Sequence, residues 1–241
     1  GGGVAGGWCG GVGVGGGVGV GGGARGAVGA GGEGGGRVAT GWVRGGAAEA
    51  AVSGGSTGAT IAAAVLAPGR FSGRPGLAVV VPTPLGPVVL TDAGATIDGT
   101  VEQLVQHAVL GAAYAKTLGI AVPRVGLLNI AAEPGTGDPF RRDAFTALAS
   151  APIHFIGNVE GHDVALGGRA DVVVTDGFTG NVLLKGMEGA TVRAGGGGLP
   201  AWAVVLGVRG VSIVGHGAAS AHEVAECIHA AAAAAQEGLV D

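Results

Sequence analysis

From Ala47 onward the chain alternates short apolar runs with amphipathic stretches. Six runs, at 77–83 (LAVVVPT), 86–92 (GPVVLTD), 124–130 (RVGLLNI), 153–159 (IHFIGNV), 170–176 (ADVVVTD) and 210–216 (GVSIVGH), are apolar at consecutive positions and rich in β-branched residues. A strand that is apolar on both faces must be covered on both faces, so these runs read as strands lying between two helical layers. Helices are predicted between them at 58–67, 100–118, 141–150, 178–189 and 220–237. Strands alternating with helices predict an α/β fold with a doubly wound, mostly parallel sheet. The runs at 77–83 and 86–92 are separated by a short segment containing Pro84, with Pro82 just before it, and are expected to form an antiparallel hairpin at the sheet edge, where proline removes no ladder bond. The last helix is the best punctuated: Ser220 with Glu223 forms a capping box, and Gly238 stands where a terminating glycine belongs.

The first 46 residues have neither periodicity. Glycine makes up 56 of the 241 residues, and 25 of those lie within residues 1–50. Each glycine costs backbone entropy on ordering and contributes no side chain to bury. The expectation is therefore two segments: 1–46, glycine-rich and disordered, and 47–241, a packed α/β domain. A phosphate-cradling glycine loop in 1–46 would need a strand before it and a helix after it, and neither pattern is present.

Composition narrows the function classes. Charged residues make up 12% of the chain, with 13 Lys+Arg against 17 Asp+Glu and no basic cluster, which argues against nucleic-acid binding. No uninterrupted apolar run reaches membrane-spanning length, so no transmembrane helix is expected. Cys9 and Cys227 cannot make a disulfide framework, which favours a reducing, cytoplasmic setting.

Three loops combine small residues with polar ones just before a predicted helix. They are 52–58 (VSGGSTG), 176–181 (DGFTGN) with Lys185 one turn further on, and 215–220 (GHGAAS). Free N–H groups at a helix N-terminus attract anions, and glycines let them approach closely. Ligands of open α/β sheets sit at the carboxyl ends of strands, so all three loops are expected to converge. Each is equally an ordinary capped turn. A separate constellation, His222, Glu226 and His229 beside Cys227, shares one helix face with metal-like spacing. Without a fourth ligand it reads as an exposed helix face, and no metal is assigned.

Together the stretches EAAVSGGSTGATIAAAVL, GRPGLAVVVPTPLGPVVLTDAGATID, PRVGLLNIAAE, FIGNVEGHDV, ADVVVTDGFTGNVLLKGMEG and GVRGVSIVGHGAASA resemble, in order, the bacterial phosphate acyltransferase of phospholipid synthesis. The resemblance covers most of 49–241. It implies a Rossmann-like α/β fold related to phosphotransacetylases and isocitrate-type dehydrogenases. It also implies transfer of a fatty acyl group from acyl-acyl carrier protein to inorganic phosphate, with no cofactor. A homodimer, cytoplasmic and peripheral at the inner membrane face, is implied as well, with a membrane glycerol-3-phosphate acyltransferase as the next enzyme. The residues it brings forward for substrate binding are Ser53, Ser56, Thr57, Gly58, Asp92, Asn158, Asp176 and Gly180. For the chemistry it brings forward Asn181, Lys185 and His216. The chain departs from the family pattern at Ser56 and Thr96, where the family has Asn, at His162, where it has Arg, and after Gly189, where a helical insert is replaced by ATVRAGGGG. Two other readings stay open: a non-catalytic relative that only dimerises or binds carrier protein, and a phosphotransacetylase-type enzyme using acyl-coenzyme A.

Overall fold

The computed structural model describes residues 35–71, 73–196, 198–215 and 219–240. In chain order the elements are α1 (Gly35–Arg44), β1 (Ala50–Ser53), α2 (Thr57–Leu66), β2 (Gly76–Val81), β3 (Val88–Thr91), α3 (Val101–Thr117), β4 (Arg124–Leu128) and α4 (Pro139–Ala149). They continue with β5 (His154–Val159), α5 (Gly161–Leu166), β6 (Val172–Val174), α6 (Gly177–Arg193), β7 (Trp202–Leu206), β8 (Val211–Gly215) and α7 (Ala221–Gln236). The eight strands form one sheet in the order β1-β8-β7-β2-β3-β6-β4-β5.

The alternation of side chains along each strand divides the core into two layers. On one face Ala78, Val89, Val172, Val174, Val125, Leu127, Val204 and Ile213 pack under α3, α4 and α7, which contribute Leu104, Ala108, Leu148 and Ala231. On the other, Leu77, Val79, Leu90, Val173, Val205 and Val214 pack under Ala64 of α2, Val164 of α5 and Leu184 of α6. Apolar positions on both faces of a strand are what the consecutive runs in the sequence encode.

Four of the seven pairings are parallel: β1 with β8, β3 with β6, β6 with β4, and β4 with β5. The other three are antiparallel, because β2 runs against both β3 and β7, and β7 runs against β8. The hairpin β2–β3 is therefore antiparallel as expected but central rather than at the edge. Pro82 and Pro84 fall beyond the last residue of β2, so they remove no ladder bond. Val79, Val81, Val88 and Leu90 are fully covered.

A second correction concerns 1–46. Residues 35–44 form a helix that packs against α2 and β1. Thr40 is 2% exposed, its hydroxyl donating to the Gly36 carbonyl at 2.8 Å, and Val43 lies over Gly210. Thr40 and Val43 face its neighbours while Val38 and Trp42 are exposed, a division that the sequence, with its surrounding glycines, does not reveal. The rest of the expected disordered segment, residues 1–34, lies outside the described residues.

Candidate functional site

Strand direction decides which loops can share a site. Because β2 and β7 intervene as antiparallel strands, β1 and β8 run opposite to β3, β6, β4 and β5. The carboxyl ends thus form two groups at opposite ends of the sheet. Asp92, Asn129, Glu160 and Asp176 follow the strands of one group, and the Ser53–Gly58 loop follows β1 in the other. Between β1 and β3 lie four strand spacings, about 19 Å at 4.8 Å each. The expected convergence of the three loops is not what the register gives. Of the third loop, residues 216–218, His216 among them, lie outside the described residues.

At the β3–β6 end, Asp92 is fully buried. Its Oδ1 accepts from the N–H groups of Leu77 (2.9 Å), Gly94 (3.1 Å) and Ala95 (3.0 Å), and its Oδ2 from Thr96 (2.7 Å). Both oxygens are thereby occupied in folding the 92–96 turn and anchoring it to β2, and the carboxylate is closed to a ligand. That turn lies directly on the N-terminus of α6. The Gly177 N–H donates to the Thr96 carbonyl at 2.9 Å, and Asn181 Nδ2 donates to the Ala93 carbonyl at 3.2 Å. A side chain at Gly177 would come within 2.6 Å of the Thr96 carbonyl oxygen, and one at Gly180 would overlap the Asp92 carbonyl oxygen. The glycines of DGFTGN serve this close approach.

Asp176 is the N-cap of α6. Its Oδ1 accepts from the Thr179 N–H and its Oδ2 from the Thr179 hydroxyl, both at 2.8 Å. The Arg141 guanidinium, from α4, bonds Asp176, the Thr179 hydroxyl and Asp138. Burial alone raises the Asp176 carboxyl, but the Thr179 donors and Arg141 outweigh it and hold the group below the usual range. A depressed folded value means stability that is complete above the unfolded value near 3.9 and lost as pH falls through the folded one. Asp176→Asn is accordingly expected to be less stable than the parent at pH 7 and to lose less stability between pH 7 and pH 3, in urea titrations at both values.

Asn158 ends this cluster. It is 1% exposed, its Nδ2 donates to the Glu133 carbonyl at 2.9 Å, and its Oδ1 has no partner. The Thr91 and Thr96 hydroxyls are likewise buried without a partner. Lys185 is on the outward side of α6, half exposed, with its Nζ 2.7 Å from Glu188 Oε2. No sequence motif marks Arg141, or the part that Thr179 plays as the partner of both Asp176 and Arg141. Arg141 was recognisable only as N3 of a helix capped by Asp138-Pro139, which carries no sign that the guanidinium reaches α6.

The other end has a different character. Ser53 Oγ accepts from the Thr60 hydroxyl at 2.9 Å and from the Gly55 N–H at 3.3 Å, which holds the loop against the first turn of α2. Ser56 is the N-cap, yet its side chain makes no capping bond, and Gly54 through Gly58 are exposed. The N-cap side chains of α3, α4, α6 and α7 each accept a helix N–H, so their termini are closed. The terminus of α2, with its first N–H groups uncapped by any side chain, is left open to an anion.

Near this end, between the C-terminal part of α3 and α7, is a cavity of about 960 Å³. Val80, Tyr114, Leu199, Trp202, Ala230 and Ala234 line it, with exposed Lys116, Glu226, His229 and Glu237 around it. Burial pushes the Tyr114 phenol up to about 12, so it remains neutral. Within the metal-like constellation, His222 Nε2 is 3.5 Å from Glu226 Oε1 on the exposed face, whereas Cys227 is turned into the core beside Gly215. Among the described residues no group of three His, Cys, Asp or Glu side chains is placed to hold a metal ion. No helix among the described residues is long and apolar enough to cross a membrane.

Residues 27–195 match the family model described as "Fatty acid synthesis protein". The chain is 38% identical over 240 residues to a phosphate acyltransferase of Desulforamulus reducens, covering 84% of this chain and 71% of that one. It is 40% identical over 241 residues to a phosphate acyltransferase of Heliobacterium modesticaldum, covering 84% and 70%. Among solved structures, a phosphotransacetylase from Streptococcus pyogenes superposes with a TM-score of 0.67 at 20% identity, over 84% of this chain and 68% of that one, a likeness of fold.

Proposed function

Since the chain belongs to the phosphate acyltransferase family and is an acyltransferase, we propose that it transfers a fatty acyl group from acyl-acyl carrier protein to inorganic phosphate. The observation that carries this reading is the open N-terminus of α2. It offers uncapped backbone N–H groups, exposed Ser56 and Thr57 hydroxyls, and a loop of glycines that lets a tetrahedral dianion approach.

In this reading phosphate sits on Ser56, Thr57 and Gly58, with Ser53 fixing the loop beneath it. Holding the nucleophile in place converts an encounter of two solutes into an oriented attack. A phosphate oxygen adds to the thioester carbonyl, the tetrahedral intermediate collapses, and the C–S bond breaks to release the carrier thiolate. Acyl phosphate leaves, and no covalent bond to the protein is required. Asp92, Asn158, Asp176, Gly180 and Asn181 then act by holding the opposite end of the sheet, where Lys185 is paired with Glu188 on the outward side of α6. The product is an activated acyl group, suited to a membrane glycerol-3-phosphate acyltransferase in phospholipid synthesis. A cytoplasmic homodimer working at the membrane surface completes the proposal.

The test is phosphate-dependent consumption of acyl-acyl carrier protein by the purified chain, with acyl phosphate trapped as the hydroxamate. Acyl-coenzyme A in place of the carrier protein separates this reading from a phosphotransacetylase-type one. Ser56→Asp is the informative variant. An aspartate at the N-cap stabilises a helix by about 0.5–1 kcal/mol, but its charge occupies the anion position. The expected outcome is an unchanged or higher melting temperature together with at least a tenfold higher KM for phosphate. An unchanged KM would remove phosphate from this loop.

A further inference from the structure

We propose that the cavity between α3 and α7 holds the hydrocarbon chain of the acyl substrate, an assignment that rests on the acyl-transfer reading above. Three observations support it. The lining divides into Val80, Tyr114, Leu199, Trp202, Ala230 and Ala234, which are buried or half-buried, and Lys116, Glu226, His229 and Glu237, which are all exposed and form its solvent side. A lining that is apolar on its buried side and charged on its solvent side suits an amphiphile that enters tail first. The volume, about 960 Å³, lies within the range typical of small-molecule sites, about 300–1,000 Å³, and well above what a packing defect leaves.

Position is the third. Trp202 pairs with Gly215 at the start of β7, and the preceding residue of β8, Val214, pairs with Ser53. The cavity therefore adjoins the same end of the sheet as the phosphate loop. Only two strand spacings, about 10 Å, separate β7 from β1. A chain lodged here leaves its thioester to extend toward that end, whereas the Asp176 end of the sheet is reached from neither.

The small residues of α7 set the size of this chamber. Ala230 and Ala234, one turn apart, face it where larger side chains would fill it. Ala233 stands at the exposed margin. Chain-length preference is thus assigned to α7.

The experiment is calorimetric titration of the full chain with butyryl-, hexanoyl- and decanoyl-pantetheine, neutral thioesters that need no turnover. Each buried methylene strengthens binding about fourfold, so decanoyl should bind on the order of a hundredfold more tightly than hexanoyl. Ala230→Phe is expected to cut that ratio at least tenfold. Ala233→Phe, on the exposed margin and harmless to the core, should do the same by obstructing the entrance. A flat chain-length series, or a ratio unchanged in both folded variants, would overturn the assignment. Either result alongside phosphate-dependent turnover leaves the acyl-transfer reading intact and removes only this subsite. Conversely, a steep series abolished by the variants, with no turnover from the same sample, keeps the subsite and sinks the catalytic reading.

Discussion

Gly180→Ala is expected to cost at least 4 kcal/mol, and the variant should fail to accumulate as folded protein or melt more than 10 °C lower. The added methyl group would overlap the carbonyl oxygen of Asp92 and press on Thr175 Cγ2. Neither neighbour can yield. The Asp92 carbonyl belongs to a turn fixed by four N–H bonds to its own carboxylate, and Thr175 is hydrogen-bonded through its backbone to Thr91 and Asp92. Overpacking of a rigid site ordinarily costs about 1–3 kcal/mol, and contact with backbone rather than a mobile side chain puts this case above that range. Gly186→Ala, on the same helix, provides the control. Nothing lies within 4 Å of its added Cβ, so it should gain roughly 0.5–1 kcal/mol from helix propensity. The opposite signs, read by urea denaturation, separate the contact from the general effect of removing glycine from α6. A Gly180→Ala variant as stable as the parent would mean that the turn and the helix are not in the contact described.

Asp92→Ala should be at least as damaging. The substitution leaves four backbone N–H groups, from Leu77, Gly94, Ala95 and Thr96, without their acceptor, those of Leu77 and Thr96 in buried surroundings. Hydrogen bonds to a charged acceptor contribute about 1.5–3 kcal/mol each, and an orphaned buried donor costs about 1–3 kcal/mol. Even with strong non-additivity the loss exceeds about 5 kcal/mol, a large part of the stability of an ordinary domain. Asp92→Asn keeps an acceptor oxygen for the three donors on Oδ1 but presents an amide to Thr96, so an intermediate loss of roughly 2–3 kcal/mol is expected. The ordering parent, Asn, Ala in chemical denaturation is the check. Equal losses for Asn and Ala would mean that charge, rather than acceptor number, holds the turn.

The legible part of this fold was the part written in β-branched residues. Runs such as VVVP, PVVL, VGLL and DVVV announce strands covered on both faces, and each of them is one. Strand β1 carries no such signal, because AAVS is short and half alanine, and it is held by parallel pairing with β8 rather than by its own propensity. Strand β7 follows a stretch of glycine and proline that reads as loop. Helix α1 carries three glycines in ten residues, and only its contacts with α2, β1 and Gly210 make it a helix. The loops around Ser53 and Asp176 were visible as capped, glycine-bearing turns, but nothing in them states which end of the sheet they face. That is set by β2 and β7, whose antiparallel pairing reverses the outer strands. The Arg141–Asp176 contact and the cavity under α7 depend on residues far apart in sequence, and no local pattern encodes either.

The reversal at β2 also orders the steps by which the molecule can assemble. Strands β3 to β6 come from one continuous stretch and pair among themselves, with α3 and α4 between them. By contrast, among the described residues β1 pairs only with β8, from which it is separated by most of the chain. Closing so long a loop is slow and is stabilised only when the far strand has arrived. On the ribosome the Asp92–Asp176 half can therefore be complete while β1, α1 and the α2 terminus still wait for β8. The same dependence makes this edge the first to open in the finished protein, so amide protons of β1 should exchange ahead of those of β3 and β6.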